Sequence, residues 1–228
     1  MKQGFVKVAS ATPRIRVADP VYNAQVICEQ AKEAAEHGAK IVVFPELCIT
    51  GYTCNDLFLQ ELLLEKAKEA LLTIAEETGQ LETLFLVGLP VDKDGRLYNV
   101  AAVLYRGRIL GMIPKKNIPM YAEFYEGRHF TPGEETVTEY RLGKQVIPFG
   151  SNLLFRCEEL PELILGCELC EDLWVAEPPS TSHALMGATV IANLSASNET
   201  VSKDDYRTLL IKASSARLLC GYIYTSAG

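Results

Sequence analysis

Histidine is scarce in this chain. Three occur in 228 residues, His37, His129 and His183, and none sits in a recognisable motif, so chemistry built on imidazole has little to draw on. No apolar run approaches the ~18 residues of a membrane span. The opening Met1-Lys2-Gln3-Gly4 leads into a short alternating strand rather than the apolar stretch of a signal peptide. No cluster of Lys and Arg offsets a net charge of −7, which argues against a nucleic-acid surface and favours solubility. The seven cysteines are an odd number without a disulfide framework. Four of them, Cys28, Cys157, Cys167 and Cys220, lie in apolar runs where a reduced thiol behaves as a small hydrophobe. These absences predict a reduced, cytoplasmic protein without membrane or nucleic-acid partners. Internal repeats, linkers and low-complexity tracts are also missing. One large domain is expected, burying roughly 70% of the surface its unfolded chain exposes.

What is present reads as alternating strand and helix. Phe5–Ala11 alternates as a strand. Asp19-Pro20 opens a helix whose apolar stripe (Val21, Ala24, Ile27, Cys28, Ala31, Ala34, Ala35) runs to a stop at Gly38. A buried strand follows at Ala39–Phe44, then a helix over about Leu59–Thr78 and a strand at Leu84–Leu89. Hairpins come next: Tyr98–Tyr105 and Ile109–Ile113 flank Arg106-Gly107-Arg108. Strands are predicted near Gln145–Pro148, Asn152–Cys157 and Leu160–Leu169. The last third returns to alternation, with helices near Ser182–Met186 and Asp204–Leu219 and strands at Thr189–Leu194 and Tyr222–Thr225. This order implies α/β layers. The polar, Gly/Pro-punctuated stretch Asn117–Thr138 reads as a functional loop.

Three ionisable residues share one placement, just past a short apolar run: Glu46 in Phe44-Pro45-Glu46, Lys115 in Pro114-Lys115-Lys116, and Cys170 in Gly166-Cys167-Glu168-Leu169-Cys170. Singly each is weak, since most such Glu and Lys are solvated and most cysteines in apolar strands are packing. Together they suggest one site at converging strand ends. The chemistry is coherent without histidine. A thiol needs a base to become a nucleophile. A carboxylate can take its proton and later deliver it to a leaving amine. An ammonium, with the backbone N–H after the nucleophile, can hold the charge that develops on a carbonyl oxygen.

The segments FPELCITGY (44–52), PKKNIP (114–119) and CELCEDLW (167–174) resemble the Glu-Lys-Cys motifs of the nitrilase superfamily of carbon–nitrogen hydrolases. FPELCITGYTCNDLF, PKKNIPMYAEFYEGRHF, ELCEDLWVAEPPS and IANLSAS (191–197) are similar to the glutaminase domains of glutamine-dependent NAD synthetases, over essentially the whole chain. The resemblance implies a nitrilase-type four-layer α-β-β-α sandwich, with residues 1–228 forming a glutamine amidohydrolase domain. By motif, Glu46 is the general base, Lys115 the oxyanion-stabilising lysine and Cys170 the nucleophile. Lys115 rather than Lys116 aligns, because the family's lysine directly follows the strand and precedes two variable residues before a Leu/Ile-Pro pair. Glu126 matches a second glutamate that positions lysine and substrate. Tyr52, Tyr121, Phe124, Trp174 and Ser197 match a glutamine pocket, and the Glu171 N–H completes the oxyanion site. The polar groups of Glu126, Tyr121 and Ser197 are expected to meet the substrate's α-charges.

The implied partners are L-glutamine, a C-terminal ATP-dependent synthetase domain and further copies of the chain. The domain itself calls for no metal or cofactor, and ATP and magnesium belong to the synthetase domain. No Ser-Gly-Gly-x-Asp-Ser loop of such a domain occurs here, and the sequence stops as a strand gives out, which predicts an N-terminal fragment of a longer enzyme, truncated at its C-terminus. Two departures leave the triad untouched: Ala176 stands where Pro is usual, and Lys116-Asn117 where aromatic residues or His are common. The nearer rival is a stand-alone amidase with the same triad. A remoter one reads Cys167-x-x-Cys170 as a redox pair or half a metal site, although residues i and i+3 of a strand point to opposite faces.

Overall fold

The computed structural model describes residues 4–227; the opening Met1-Lys2-Gln3 and the closing Gly228 lie outside the described residues. Its elements are β1 (Val8–Ser10), α1 (Pro20–Glu36), β2 (Ile41–Val43), α2 (Glu61–Glu77), β3 (Leu84–Lys93), β4 (Arg96–Tyr105), β5 (Arg108–Pro114), β6 (Thr138–Leu142), β7 (Gln145–Phe149), β8 (Leu154–Arg156), β9 (Ile164–Leu169), α3 (Pro179–Leu185), β10 (Val190–Ser195), α4 (Lys203–Leu218) and β11 (Gly221–Ser226). They form a seven-stranded sheet, β1-β2-β3-β4-β5-β7-β6, and a four-stranded sheet, β11-β10-β9-β8.

The strands read as apolar runs because both faces of each sheet are covered. Alternate residues divide between two cores. Ile41, Val43, Leu86, Ala101, Val103 and Ile113 of the large sheet meet Leu165, Cys167, Leu169, Ala192, Leu194 and Ile223 of the small one. On the far side of the large sheet, Val42, Phe85, Val87 and Ala102 pack against Ile27 and Ala31 of α1 and Leu71 and Ile74 of α2. Ala188, Ile191 and Cys220 lie against Ala184 of α3 and Leu218 of α4 on the outer side of the small sheet. The layers are therefore α-β-β-α.

Strand direction positions the site. β2 and β3 are parallel, and β3–β4 and β4–β5 are antiparallel, so β2 and β5 finish at the same end of the large sheet. That end also holds the beginning of β4. The Glu46 N–H donates to the Ser195 carbonyl at 3.2 Å, tying the exit of β2 to the end of β10 in the other sheet.

Several local readings shift. Helix α1 starts as expected, with the Asp19 carboxylate accepting from the Tyr22 N–H at 3.1 Å and Pro20 in the first turn. Its apolar stripe turns differently: Val21 is 57% exposed, while Asn23 is fully buried. Asn23 accepts from the Arg16 N–H and donates to the Arg16 and Ile49 carbonyls, trading a place in the apolar stripe for three hydrogen bonds to neighbouring loops. Leu59 ends a 3-10 segment, Tyr52–Leu59, rather than starting α2. The strand expected over Leu160–Leu169 begins only at Ile164, because residues 157–163 make the turn that joins β8 to β9. The hairpin strand β6 escaped sequence reading because its segment, Thr-Glu-Tyr-Arg-Leu, is mostly polar and half exposed.

Candidate active site

Three strand exits build the site. After β2, Phe44-Pro45 carries Glu46 into the interior, and Lys115 follows β5 directly. Both side chains are 0% exposed. The Lys115 ammonium donates to Glu46 Oε1 at 2.7 Å and to Glu126 Oε1 at 2.6 Å. Glu126 comes from a 3-10 turn, Glu126–Arg128, inside the loop read as functional, and the Tyr52 hydroxyl donates to its Oε1 at 2.7 Å. Lys116 points away, to Glu135 at 2.5 Å on the surface. The choice of Lys115 over its neighbour thus coincides with a division between buried and exposed side chains.

Cys170 lies one residue beyond β9, where the chain leaves the sheet into a 3-10 turn, Cys170–Leu173. Its φ of 40° is left-handed, a conformation a side-chain-bearing residue adopts only when its surroundings enforce it. Cys167, by contrast, sits in extended backbone within the core between the sheets. Both thiols are free.

The electrostatics are those of one connected group. Burial pushes the Glu46 carboxyl up, the Lys115 charge opposes it and Glu126 adds to it, leaving the group at about 7. Burial alone would lower the Lys115 ammonium, but Glu46, Cys170 and Glu126 outweigh it and hold the lysine protonated. Burial and then the Glu46 charge push the Cys170 thiol up to about 12, against the Lys115 charge and the Ala196 backbone. The resting arrangement is therefore a neutral thiol beside a carboxylate able to take its proton and an ammonium able to meet a developing negative charge.

Two of the side chains that organise this group are not among the site residues expected from the sequence. Asn99, fully buried on β4, donates from Nδ2 to Glu46 Oε1 at 2.7 Å and to Glu126 Oε2 at 3.4 Å. Asp172, 2% exposed, accepts from the Leu169 N–H at 3.0 Å and from the Asn117 N–H and side-chain amide at 2.8 Å each. It thereby binds the turn of the cysteine to the loop after the lysine. Gly88 on β3 provides space: a Cβ there would lie 2.3 Å from the Leu47 nitrogen and 2.9 Å from the Glu46 carbonyl carbon. Only glycine lets the Glu46 segment pass so close.

The residues expected to form the pocket make varied contacts. Tyr52 is committed to Glu126. The Tyr121 hydroxyl donates to Glu171 Oε2 at 2.9 Å, and its ring meets that of Phe124 edge-on at 5.7 Å. The Trp174 ring lies against Tyr206 at 5.7 Å. Lys203, at the start of α4, holds its ammonium 5.1 Å from the Trp174 ring centre and 5.5 Å from that of Phe124. The Ser197 N–H donates to Ser226 Oγ at 3.1 Å. Among the described residues no group of three or more His, Cys, Asp or Glu is arranged to hold a metal ion, and no helix is long and apolar enough to cross a membrane.

A four-layer sandwich with an acid, a lysine and a cysteine at its strand exits is the frame of an enzyme that cleaves carbon–nitrogen bonds. Residues 7–224 match the carbon–nitrogen hydrolase family, and the chain belongs to it. It is 41% identical over 227 residues to the glutamine-dependent NAD(+) synthetase of Mycobacterium tuberculosis, covering 100% of this chain and 33% of that protein. The chain thus spans about a third of the length of such curated relatives. A crystal structure of a glutamine-dependent NAD(+) synthetase from Cytophaga hutchinsonii superposes with a TM-score of 0.85 at 29% identity, over 96% of this chain and 35% of that one. An amidase from Nesterenkonia sp. shares the fold, with a TM-score of 0.73 at 20% identity, over 97% of this chain and 76% of that one.

Proposed function

We propose that residues 1–228 form a glutamine amidohydrolase domain that supplies ammonia to an ATP-dependent synthetase domain converting deamido-NAD to NAD. The observation that carries the chemistry is the buried Glu46–Lys115–Glu126 group, whose charges bear on a cysteine in left-handed backbone. Similarity to glutamine-dependent NAD(+) synthetases supports the choice of substrate and partner domain. ATP and magnesium serve the synthetase domain, and the homo-oligomer implied by the resemblance belongs to the same proposal.

In this reading Glu46 takes the Cys170 proton as sulfur attacks the side-chain carbonyl carbon of glutamine. Lys115 and the Glu171 N–H stabilise the oxyanion, an effect worth roughly 10²–10³-fold per donor. Glu46 returns the proton to nitrogen, the C–N bond breaks and ammonia leaves a glutamyl thioester on sulfur. Water, deprotonated by Glu46, attacks the thioester, and glutamate departs as the thiol is restored. Glu126, held by Lys115 and Tyr52, keeps the lysine aimed. Phe124 and Trp174 wall the aliphatic chain, while Glu126, Tyr121 and Ser197 offer the polar contacts that its α-groups require.

Ammonia release from L-glutamine and from butyramide tests the substrate assignment. A pocket built to pair α-charges rejects an amide lacking them, because its own polar groups are left unpaired. Glutamine should be hydrolysed at least about 10³-fold more efficiently. Equal rates would favour the stand-alone amidase reading instead.

A further inference from the structure

Asn99 touches more of the catalytic group than any sequence signal suggested. Its carbonyl accepts the Lys115 N–H at 2.8 Å, fixing the lysine's backbone, while its side-chain amide lies between the two carboxylates that grip the lysine's ammonium. The amide nitrogen must face them, since the flipped amide would set oxygen against oxygen. Asn99 Nδ2 and Lys115 Nζ both donate to Oε1 of Glu46, at 2.7 Å each. Glu46 Oε2 is buried and has no hydrogen-bond partner. A carboxylate with one oxygen doubly occupied and the other bare offers a single site for an incoming proton.

We propose that Asn99 is a positioning residue for proton transfer: by occupying Oε1 together with Lys115, it leaves Oε2 of Glu46 as the atom that takes the Cys170 proton. Without its N–H the carboxylate is free to rotate about its terminal bond, and the charged form loses one of its two donors. The titratable groups facing Glu46 are Lys115 after β5, Glu126 in the following loop, Cys170 after β9 and Tyr52 in the turn after β2. Losing a donor to the anion raises the pH at which Glu46 ionises. The acid limb of activity should then move upward, and not merely weaken.

The inference rests on the assignment of Glu46 and Cys170, so its test has one arm that needs no substrate. Asn99→Leu removes the donor at similar size, and Asn99→Asp keeps the shape while replacing the donor by an acceptor. Each is compared with the parent protein for kcat and KM toward glutamine from pH 5 to 9. The rate at which iodoacetamide alkylates Cys170 over the same range is read by peptide mass. The expected result is a 10–100-fold loss in kcat, KM within about twofold, and an acid limb raised by about one pH unit in both readouts, further in Asn99→Asp. Thermal unfolding identifies a variant that fails to fold, and the other variant then decides. If the limbs stay in place and the rate loss follows the unfolded fraction, Asn99 is structural only and the proposal is overturned. A shift in alkylation without glutamine hydrolysis would refute the substrate assignment and uphold the role of Asn99.

Discussion

Cys167 and Cys170 are separated by two residues and are 1% and 4% exposed, and burial pushes both thiols upward. Neither exposure nor acidity distinguishes them. Their backbone and their neighbours do. Cys167 lies opposite Ala192 in a regular ladder, packed among Leu165, Leu169 and Ala192, and the charged groups that bear on it, Glu168 and Asp172, disfavour its thiolate. Cys170 occupies a left-handed turn beside Glu46, Lys115 and the Ala196 backbone. In the proposed mechanism what marks Cys170 is the carboxylate and ammonium whose charges bear on it, and not an accessible or acidic thiol.

The sharpest way to break the comparison is to remove each sulfur in turn. Cys170→Ala should lower ammonia release by on the order of 10⁴-fold or more with little change in unfolding temperature. Cys167→Ala should keep activity within a few-fold and lose about 1–2 kcal/mol of stability, read by urea denaturation. Equal loss of activity in both variants would erase the distinction.

The company of Cys170 is tested next. Glu46→Gln keeps size but removes the base, and should cost about 10²–10⁴-fold in kcat/KM. The parent's pH profile should show the same group. Glu46 is protonated below about 7 and cannot accept, so kcat/KM should fall about tenfold per unit as pH drops below 7. Above 7 it should level, because the thiol keeps its proton until about 12. A flat profile between pH 5 and 8 would remove Glu46 from the role of base.

Gly88→Ala probes the scaffold behind Glu46. The added methyl would meet the Leu47 nitrogen at 2.3 Å, so the Glu46 segment must move. A loss of roughly 10–100-fold in kcat with about 1–3 kcal/mol of destabilisation is expected. Normal kinetics would show that the base tolerates displacement. The smallest effect belongs to Lys116→Ala: its pair with Glu135 is solvent-screened, so the unfolding temperature should be nearly unchanged and turnover should move by less than about twofold.

The comparison also shows what was legible beforehand. Glu46, Lys115 and Cys170 stood out because buried strands announce themselves as apolar runs, and a charge or thiol at the run's end breaks the pattern. The same runs gave α/β layering, whereas the α-β-β-α order of four layers came from the family resemblance. Asn99 was invisible because β4 runs antiparallel to β5: the residue lies near the beginning of its strand, in Leu97-Tyr98-Asn99-Val100, and only the pairing of strands brings it to the exits of β2 and β5. Asp172 looked like one of two acids after the cysteine, and its burial depends on a loop 55 positions earlier in the chain. The turn of α1 that buries Asn23 and exposes Val21 depends on loops that a helical period does not describe.

The claim that Cys170 alone among these thiols is the nucleophile is tested most directly by covalent labelling. The protein is treated with an electrophilic diazoketone analogue of glutamine, and the modified peptide is located by mass spectrometry in the parent, Cys167→Ala and Cys170→Ala proteins. The account predicts one adduct, on Cys170, present in the first two and absent from the third. An adduct on Cys167, or labelling that survives in Cys170→Ala, would contradict it.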